Sequence, residues 1–415
     1  MKRFDYILFL SGAALAVAGF FEIFSTADTF HFVTNQLAAF LAGVLLFFFF
    51  AFFFTSRHFV KLAPVLYGIS LLLLVIVLKR GVRIRGSLSW LTFGKYSFQP
   101  AELMKFSVLL VVSSYLEKKH KYLGDLKLAG VLFFIFLIPI LLILKQPDMG
   151  SSLIFLSFFF FYLYASGISY IFIILFVIFL FAFIAAFALN ILLGISLLQN
   201  ILVFAAALAV FFLLTRIFIK FIFVPGVKRN FMLLFVFFFV LGSASGYGIE
   251  HFLKQYQKKR ILVFLAPGRE LQGMGYQVKQ SQIALGSGRL WGKGFGKGTQ
   301  VKLGFLPSAL TDFIFSAVGE EFGFLGAFGV LFLYTLIMFK SVRIAFWAES
   351  PFGSFMAGGI AFYFFIHFFV NIGMNLGFLP VIGIPLPFLS RAGSSMAVSF
   401  AMLGVLSAIR REKMY

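Results

Sequence analysis

The sequence predicts an all-α polytopic membrane protein with about twelve transmembrane helices, and three observations predict it. Of the 415 residues, 62% are hydrophobic and 12% are charged, whereas soluble domains are about 45–50% apolar and about 25% charged. Apolar runs long enough to cross a bilayer recur along almost the whole chain. The chain has no cysteine, which excludes a disulfide framework and thiolate metal sites.

Each predicted span is a continuous apolar run between polar or charged residues. The first six cover Tyr6–Phe24, Gln36–Phe54, Leu62–Leu78, Pro100–Leu116, Leu126–Leu144 and Ser151–Ala165. The second six cover Ile168–Leu189, Ile201–Ile219, Phe231–Tyr247, Phe322–Phe339, Gly353–Asn371 and Leu389–Ile409. Residues 248–311 form one large extracytoplasmic loop within a single membrane domain, residues 1–415.

The Lys and Arg residues of the short connections predict the orientation of the chain. An even number of spans places both termini on one side, and the side richer in basic residues is the cytoplasmic one. The basic residues on that side include Lys2, Arg3, Arg57, Lys61, Arg216, Lys220, Lys340, Arg343, Arg410 and Arg411. We therefore expect a multi-pass protein of the cytoplasmic membrane whose N- and C-termini are both cytoplasmic.

One basic connection is predicted on the opposite, outer side. Residues 79–95 follow the third span and include Arg83 and Arg85. These side chains either bind an anion or belong to an interfacial segment whose cationic heads reach the water, and the sequence leaves both readings open.

The net charge of +21 is the last global feature. In a soluble protein it would suggest nucleic acid, but here it predicts contact with anionic membrane lipids and an anionic substrate, and no nucleic-acid partner.

Ionisable residues inside spans are functional candidates, because each costs about 2.5–3.5 kcal/mol at mid-helix. The candidates within or at the ends of predicted spans are Glu102, Lys105, Asp148, Asp312, Glu320 and Glu321. Most of them lie towards the outer side in the predicted topology. On an ideal helix Glu320 lies about 80° around from Asp312 and Glu321 about 180°, so at most one of the two shares a cavity with Asp312.

Each candidate also has a purely structural alternative. Glu102 and Lys105 are three residues apart and would form a local ion pair at a helix start. Asp148 precedes a Gly-Ser helix start and would be an N-cap, and Asp312 would cap the helix that follows it.

A glycine series in the outer loop does not form a phosphate-binding loop. It comprises Gly286, Gly288, Gly292, Gly294, Gly296 and Gly298. No G-x-x-x-x-G-K-[ST] sequence is present, so we expect a flexible loop or a close backbone approach to a ligand. The five histidines are scattered without metal-ligand spacing.

Four stretches of the chain resemble the bacterial SEDS family (shape, elongation, division and sporulation), whose members include RodA, FtsW and SpoVE. They are Ser89–Lys105, Gln146–Gly150, Gly275–Glu321 and Asn371–Ser390. Glycines and neighbouring residues between Gly292 and Pro307 are more similar to the RodA branch than to the FtsW branch.

The resemblance implies a peptidoglycan glycosyltransferase that polymerises lipid II into undecaprenyl-linked glycan strands at the outer face of the bacterial cytoplasmic membrane. It implies a role in cell elongation and shape and a class B penicillin-binding protein, a transpeptidase, as partner. Asp312 matches the family's essential aspartate, and Glu102, Lys105 and Asp148 match its other polar cavity positions.

The chain also departs from the family pattern. The family usually has ten spans, so residues 168–230 are predicted to carry an extra helix pair. Ser308-Ala309-Leu310 stands where relatives often have Glu, a variable residue and His, and Arg391-Ala392 replaces the usual Tyr-Gly.

The chemistry of the reaction predicts the residues it needs. Forming a β-1,4 bond from an α-linked sugar diphosphate inverts the anomeric carbon, so one base must activate the acceptor hydroxyl. A diphosphate leaving group needs positive charge rather than a proton. Asp312 is therefore the predicted catalytic base, and the predicted substrate-binding residues are Lys105, Glu102, Asp148, Arg83, Arg85 and Glu320.

Two matters stay open at this point. Glu102 and Asp148 would position either Lys105 or a divalent cation, Mg²⁺ or Mn²⁺, and the sequence does not decide whether a metal is a cofactor. The alternative functions are a flippase or transporter of the lipid-linked precursor, a septal polymerase of the FtsW type, and a catalytically inactive scaffold.

Overall fold

The computed structural model describes residues 5–26, 30–84, 87–94, 96–120, 123–168 and 274–412. Residues Met1–Ile168 and Tyr276–Tyr415 make up one compact unit and Ser169–Gly275 a second, and the fold below is that of the first. The predicted extra pair at 168–230, the spans Ile201–Ile219 and Phe231–Tyr247, and loop residues 248–273 lie outside the described residues and stay predictions.

The described ranges contain eleven helices and three strands. The first group is α1 (Tyr6–Thr26), α2 (Phe30–Phe53), α3 (Ser56–Arg80), β1 (Val82–Ile84), β2 (Ser87–Phe93), β3 (Tyr96–Phe98), α4 (Pro100–Lys118), α5 (Leu126–Lys145) and α6 (Met149–Ala165). The second group is α7 (Met274–Ser287), α8 (Thr299–Lys302), α9 (Ile314–Trp347), α10 (Pro351–Asn375) and α11 (Gly393–Glu412).

The predicted polytopic membrane fold is confirmed. Seven of these helices, α1 to α3, α5 and α9 to α11, are long and apolar enough to cross a membrane. α6 is apolar but shorter, with 17 residues. α4 carries more polar residues and is buried on nearly all its faces, since Met104, Phe106 and Leu109 are each at most 2% exposed.

Helix packing places α4 in the interior of the bundle. α4 contacts α3, α5, α10 and α11, while α11 packs along α2 and α10 along α9. Because other helices surround α4, its side chains face protein rather than lipid or water. Any charge on α4 must therefore find its partner inside the protein.

A small antiparallel sheet occupies the connection between α3 and α4, where no strand was predicted. Arg83 in β1 lies opposite Leu88 in β2, and Leu91 in β2 lies opposite Phe98 in β3. The sheet is tied to the bundle because the Leu88 amide donates to the main-chain oxygen of Gln146 at 3.0 Å. The run of serine, threonine, aromatic and aliphatic residues in β2 is typical of a strand.

Helix α9 begins at Ile314, whereas the predicted span began at Phe322. The helix is interrupted at Gly323, whose φ of 65° and ψ of −160° are not helical. The loop after α7 fills this break: the Phe324 amide donates to the main-chain oxygen of Arg289 at 2.8 Å, and the Lys293 amide donates to that of Glu320 at 2.9 Å. Backbone groups that the break would leave unpaired are thereby satisfied.

The glycine series has its explanation in this contact. A Cβ on Gly292 would lie 2.1 Å from the main-chain oxygen of Glu321, so no larger residue fits without displacing α9. The predicted close backbone approach was to a ligand, whereas the approach that the structure shows is to α9. Gly286 lies within α7, and the other glycines of the series follow that helix.

The helix ends divide into two groups at opposite ends of the bundle. The starts of α4, α6, α9 and α11 and the end of α10 meet at one end, which carries the candidate site described below. At the other end, Glu412 of α11 bonds Ser56 of α3, and Arg410 pairs with Asp5 before α1.

Candidate active site

Two asparagines of α10 hold the backbone at Asp312, two residues before α9 begins. The Nδ2 atoms of Asn371 and Asn375 donate to the main-chain oxygen of Asp312 at 2.9 and 3.0 Å. The Oδ1 of Asn375 accepts from the amide and hydroxyl of Ser316 at 3.1 and 2.6 Å. Both asparagines are fully buried, so the position of Asp312 is fixed from inside the bundle, while its own side chain is partly exposed.

The connection between α10 and α11, residues 376–392, passes close to the Asp312 carboxylate. A Cβ on Gly383 would lie 3.7 Å from Oδ2 of Asp312, and Gly383 has a φ of +76°. The next two carbonyls are bound by α10: Asn371 donates to Ile384 at 2.8 Å, and Nδ1 of His367 lies 3.0 Å from the oxygen of Pro385.

The far end of the same connection is bonded to the residues just before Asp312. The hydroxyl of Ser390 donates to the main-chain oxygen of Thr311 at 2.6 Å, and the Arg391 amide donates to that of Leu310 at 2.9 Å. Arg391, noted in the sequence only as a departure from the family, thus lies in a segment held against the loop that carries Asp312.

Lys105 forms a buried ion pair with Glu102 and reaches α10. Its Nζ lies 2.7 Å from Oε1 of Glu102, and the two side chains are 1% and 2% exposed. The same Nζ lies 3.4 Å from Nε2 of His367. Because Nδ1 of His367 faces a carbonyl oxygen, we assign the proton to Nδ1, which leaves Nε2 to accept from the Lys105 ammonium.

The second carboxylate oxygen of Glu102 is buried without a hydrogen-bond partner among the described residues. The predicted structural alternative, a local ion pair at a helix start, is what the geometry shows. His367 is a member of this group that sequence reasoning missed, because a single histidine in an apolar run gives no signal of its own.

Asp148 caps α6 and joins three parts of the site. Its Oδ1 accepts from the Ser151 amide at 3.0 Å, and its Oδ2 accepts from the Ser151 hydroxyl at 2.9 Å and from Nε2 of Gln99 at 3.0 Å. Gln99 precedes α4, and its amide donates to the hydroxyl of Ser394 at the start of α11, at 3.4 Å. The N-cap predicted as the alternative for Asp148 is therefore present.

The cations of the β1–β2 region are only partly described. Arg83 is exposed on β1, in the sheet that is bonded to Gln146, two residues before Asp148. Arg85 lies outside the described residues.

Glu320 is fully buried and holds the loop that follows α7. Its Oε1 lies 2.6 Å from Nζ of Lys293 and accepts from the Thr299 hydroxyl and the Gln300 amide, each at 3.0 Å. The bond from the Gln300 amide caps the short helix α8. The structure therefore places Glu320 with the glycine loop, and not with the residues gathered around the α10–α11 connection.

A divalent cation would need several carboxylate or imidazole ligands close together. They contain no cluster of three or more His, Cys, Asp or Glu side chains that would hold a metal ion. Both oxygens of Asp148 already accept hydrogen bonds, and one oxygen of Glu102 is bound to Lys105. The divalent cation at Glu102 and Asp148 stays a prediction, and the mechanism below has no step through a metal.

The family model described as "Cell cycle protein", for FtsW, RodA and SpoVE, matches residues 7–199 and 186–415. The chain belongs to this family. The predicted SEDS membership is thereby confirmed.

Curated relatives carry names that state an activity. The chain is 33% identical to "Peptidoglycan glycosyltransferase MrdB" of Escherichia coli K12, over 85% of this chain and 78% of that protein. It is 31% identical to "Probable peptidoglycan glycosyltransferase FtsW" of Trichlorobacter lovleyi, over 98% and 93%. It is 30% identical to "Stage V sporulation protein E" of Bacillus subtilis, over 99% and 98%. The predicted enzyme class, a peptidoglycan glycosyltransferase, is confirmed.

Solved structures share the fold. One chain, from "Structural coordination of polymerization and crosslinking by a peptidoglycan synthase complex", is 26% identical with a TM-score of 0.70 over 100% of this chain and 99% of that chain. The rod shape determining protein RodA of Thermus thermophilus is 24% identical with a TM-score of 0.63 over 99% and 98%, a likeness of fold alone. The chain is accordingly a multi-pass membrane protein of this architecture.

Proposed function

We propose that this protein polymerises lipid II into glycan strands at the extracytoplasmic face of the bacterial cytoplasmic membrane, with Asp312 as the general base. The observation that carries the proposal is the support of Asp312 by Asn371 and Asn375, which fixes the backbone while leaving the carboxylate partly exposed beside Gly383. A base must be held in one place to meet an acceptor hydroxyl in reactive geometry.

The reaction requires one proton transfer and one displacement. The Asp312 carboxylate takes the proton of the acceptor sugar hydroxyl, whose oxygen then attacks the anomeric carbon of the donor. The bond from that carbon to the diphosphate oxygen breaks, the configuration inverts, and the lipid diphosphate leaves as an anion. One carboxylate is enough, because the diphosphate departs without being protonated.

Positive charge is the second requirement. Arg83 is exposed on β1, and the α10–α11 connection brings Arg391 towards the Asp312 loop. We assign the direct diphosphate contact to these two residues and to Arg85, which stays a sequence-based assignment. Preorganised cations stabilise the charge that develops on the leaving group.

The buried residues have a positioning role in this proposal. Lys105 is 1% exposed and bound to Glu102, so we assign the pair to holding α4 against α10 through His367. Asp148 joins the starts of α4 and α6 in the same way. Glu320 binds Lys293 and α8, and both belong to the loop that precedes Asp312 in the sequence.

Both termini are proposed to lie in the cytoplasm and Asp312 outside. The basic residues at the bundle end opposite Asp312 support this orientation, because the side richer in Lys and Arg is the cytoplasmic one. A class B penicillin-binding protein is the proposed partner, and cell elongation and shape the proposed role. The solved chain with the 0.70 TM-score supports the partner, because it belongs to a synthase complex that coordinates polymerisation with crosslinking.

The test is lipid II polymerisation by the purified full-length protein, with and without a class B penicillin-binding protein. Asp312→Asn should abolish glycan chain formation while the protein keeps its melting temperature and its binding to the partner. The matched control is Asp125→Asn, because Asp125 is an exposed carboxylate that only caps α5. Chain growth by Asp312→Asn at the natural rate would refute the assignment of the base.

A further inference from the structure

A basic cavity lies at the bundle end opposite Asp312, and the reaction proposed above does not use it. Its volume is about 330 Å³, and it lies between Asp5, just before α1, the last turns of α9 and the end of α11. The lining residues are Asp5, Lys340, Arg343, Ile344, Trp347, Ala348, Ile409 and Arg410.

The cavity carries more positive than negative charge. Asp5 is 2% exposed, its Oδ2 pairs with Arg410, and the same oxygen lies 4.0 Å from Nζ of Lys340. Arg343 is exposed and makes no ion pair within the described part of the chain. Three cations against one carboxylate leave a formal charge of two, with the Arg343 guanidinium available to a ligand.

The rest of the lining is apolar and continues onto the outside of the bundle. Ile344 and Ile409 are 6% and 2% exposed and form the inner wall. Trp347 is 60% exposed, and its neighbour Phe346 is 84% exposed. Exposed aromatic residues at the end of a spanning helix are typical of the membrane–water interface.

We propose that this cavity binds the phosphate of an anionic lipid headgroup, with the acyl chains lying along Trp347 and the neighbouring exposed surface of α9. Guanidinium and ammonium groups bind phosphate oxygens through charge-assisted hydrogen bonds. Basic pockets between helices at the cytoplasmic surface are suited to such headgroups. A lipid is favoured over free phosphate because the cationic cavity and the exposed aromatic surface are continuous.

Asp5 sets the selectivity in this proposal. It already neutralises Arg410 and lies close to Lys340, so an incoming headgroup must compete with one carboxylate. A headgroup with net negative charge competes with that carboxylate for the cations. A zwitterionic choline headgroup competes less well, because it brings its own cation into a basic site. The expected ligand class is therefore a phospholipid of net negative charge, such as phosphatidylglycerol.

Trp347 allows the test to be made at the cavity itself. The chain has three tryptophans, so Trp90→Phe with Trp291→Phe leaves Trp347 as the only one. The full-length protein is placed in phosphatidylcholine nanodiscs that contain equal fractions of either brominated phosphatidylglycerol or brominated phosphatidylcholine. The brominated lipid quenches the fluorescence of Trp347 when it lies near that residue. The quenching should show phosphatidylglycerol enriched about fivefold or more over phosphatidylcholine. If the double variant does not fold, the quenching difference between the natural protein and Trp347→Phe gives the same quantity.

The variants separate a built site from general surface charge. Arg343→Gln should lower the preference for phosphatidylglycerol about fivefold, since one cation near the surface is worth about that factor. Arg57→Gln is the matched control, because Arg57 is exposed at the same bundle end and is not part of the cavity lining. Equal losses in both variants, or equal quenching by the two lipids in the parent protein, would overturn the proposal.

A last arm distinguishes a lipid from free phosphate. Inorganic phosphate is added to the phosphatidylglycerol nanodiscs at millimolar concentration, against sodium chloride of the same ionic strength. The preference should survive both additions equally. Loss of the preference in phosphate alone would show that the cavity is a site for the free anion and would refute the assignment to a lipid. None of these outcomes depends on glycan synthesis.

Discussion

His367 and Asn371 lie one helical turn apart on α10 and bind adjacent carbonyls of the α10–α11 connection, those of Pro385 and Ile384, at 3.0 and 2.8 Å. Each has a second partner. Asn371 also holds the backbone of Asp312, and His367 also meets the Lys105 ammonium. One face of α10 therefore links the proposed base to the buried ion pair, although the two are far apart in sequence.

Asn371→Leu should lower the turnover number more than it changes KM. The substitution leaves the main-chain oxygen of Ile384 without this donor, at a cost of about 1–3 kcal/mol, and leaves that of Asp312 held by Asn375 alone. The Asp312 carboxylate then loses its fixed position. The measurements are the rate of lipid II polymerisation per folded protein and the melting temperature in detergent. A rate that falls only in proportion to the unfolded fraction would contradict a positioning role.

Lys105→Met should destabilise the protein more than the double substitution Glu102→Gln with Lys105→Met. The single change leaves a carboxylate buried at 2% exposure without its cation, at a cost of about 3–5 kcal/mol. The double change removes both charges and should recover much of that loss. Thermal unfolding of the natural protein, the two single variants and the double variant gives the coupling free energy between the two side chains. Additive effects of the two single changes would show that the pair is not coupled.

Glu320→Ala should release the glycine loop without unfolding the bundle. The carboxylate binds Lys293 and caps α8, and its loss removes a charged hydrogen bond and a cap worth about 0.5–2 kcal/mol. Hydrogen exchange of residues 288–301 should accelerate, while that of α4 stays unchanged. Glu349→Ala, at an exposed carboxylate beyond the end of α9, is the control. Equal exchange in both variants would exclude this holding role.

Most of the helical fold was predictable because a bilayer leaves so few alternatives. An apolar run must form its hydrogen bonds within itself, so run length alone locates a helix. Pro100 marked the start of α4 correctly, since proline suits a first helical turn. The start of α9 was misplaced because Glu320 and Glu321 interrupt the apolar pattern. Their contacts come from a loop some twenty residues upstream, which a hydropathy pattern cannot show.

The candidate site was predictable only in part. Asp312, Glu102 and Lys105 stood out because charges are rare in spans. His367 did not, since its partner Lys105 is 262 positions away and a lone histidine in an apolar helix is ordinary. The sheet at 82–98 was missed because a short basic connection has too few residues for alternation to be distinctive. The sequence pattern does not show which residues pair, either across 262 positions for His367 or between neighbouring short strands in the sheet.

Asp148→Asn and Asp148→Ala should differ, because the geometry makes this residue a cap and a link rather than a free charge. Asparagine keeps an acceptor for the Ser151 amide and is as good an N-cap as aspartate, and its Nδ2 can donate to the Gln99 side-chain oxygen once that amide turns over. Both melting temperature and polymerisation should therefore stay close to those of the natural protein. Alanine removes the cap and the bond from Gln99, at a cost of about 0.5–2 kcal/mol, and should slow polymerisation about tenfold through displacement of the α4 start.

The opposite pattern would reassign the residue. If Asp148→Asn lost activity as completely as Asp148→Ala while keeping its melting temperature, the negative charge itself would be needed. That result would place Asp148 in contact with a substrate group or a bound cation during the reaction, since the cap survives in the asparagine variant and only the charge is gone. Polymerisation assays at several Mg²⁺ and Mn²⁺ concentrations would then separate those two roles, because only a cation site makes the defect depend on metal concentration.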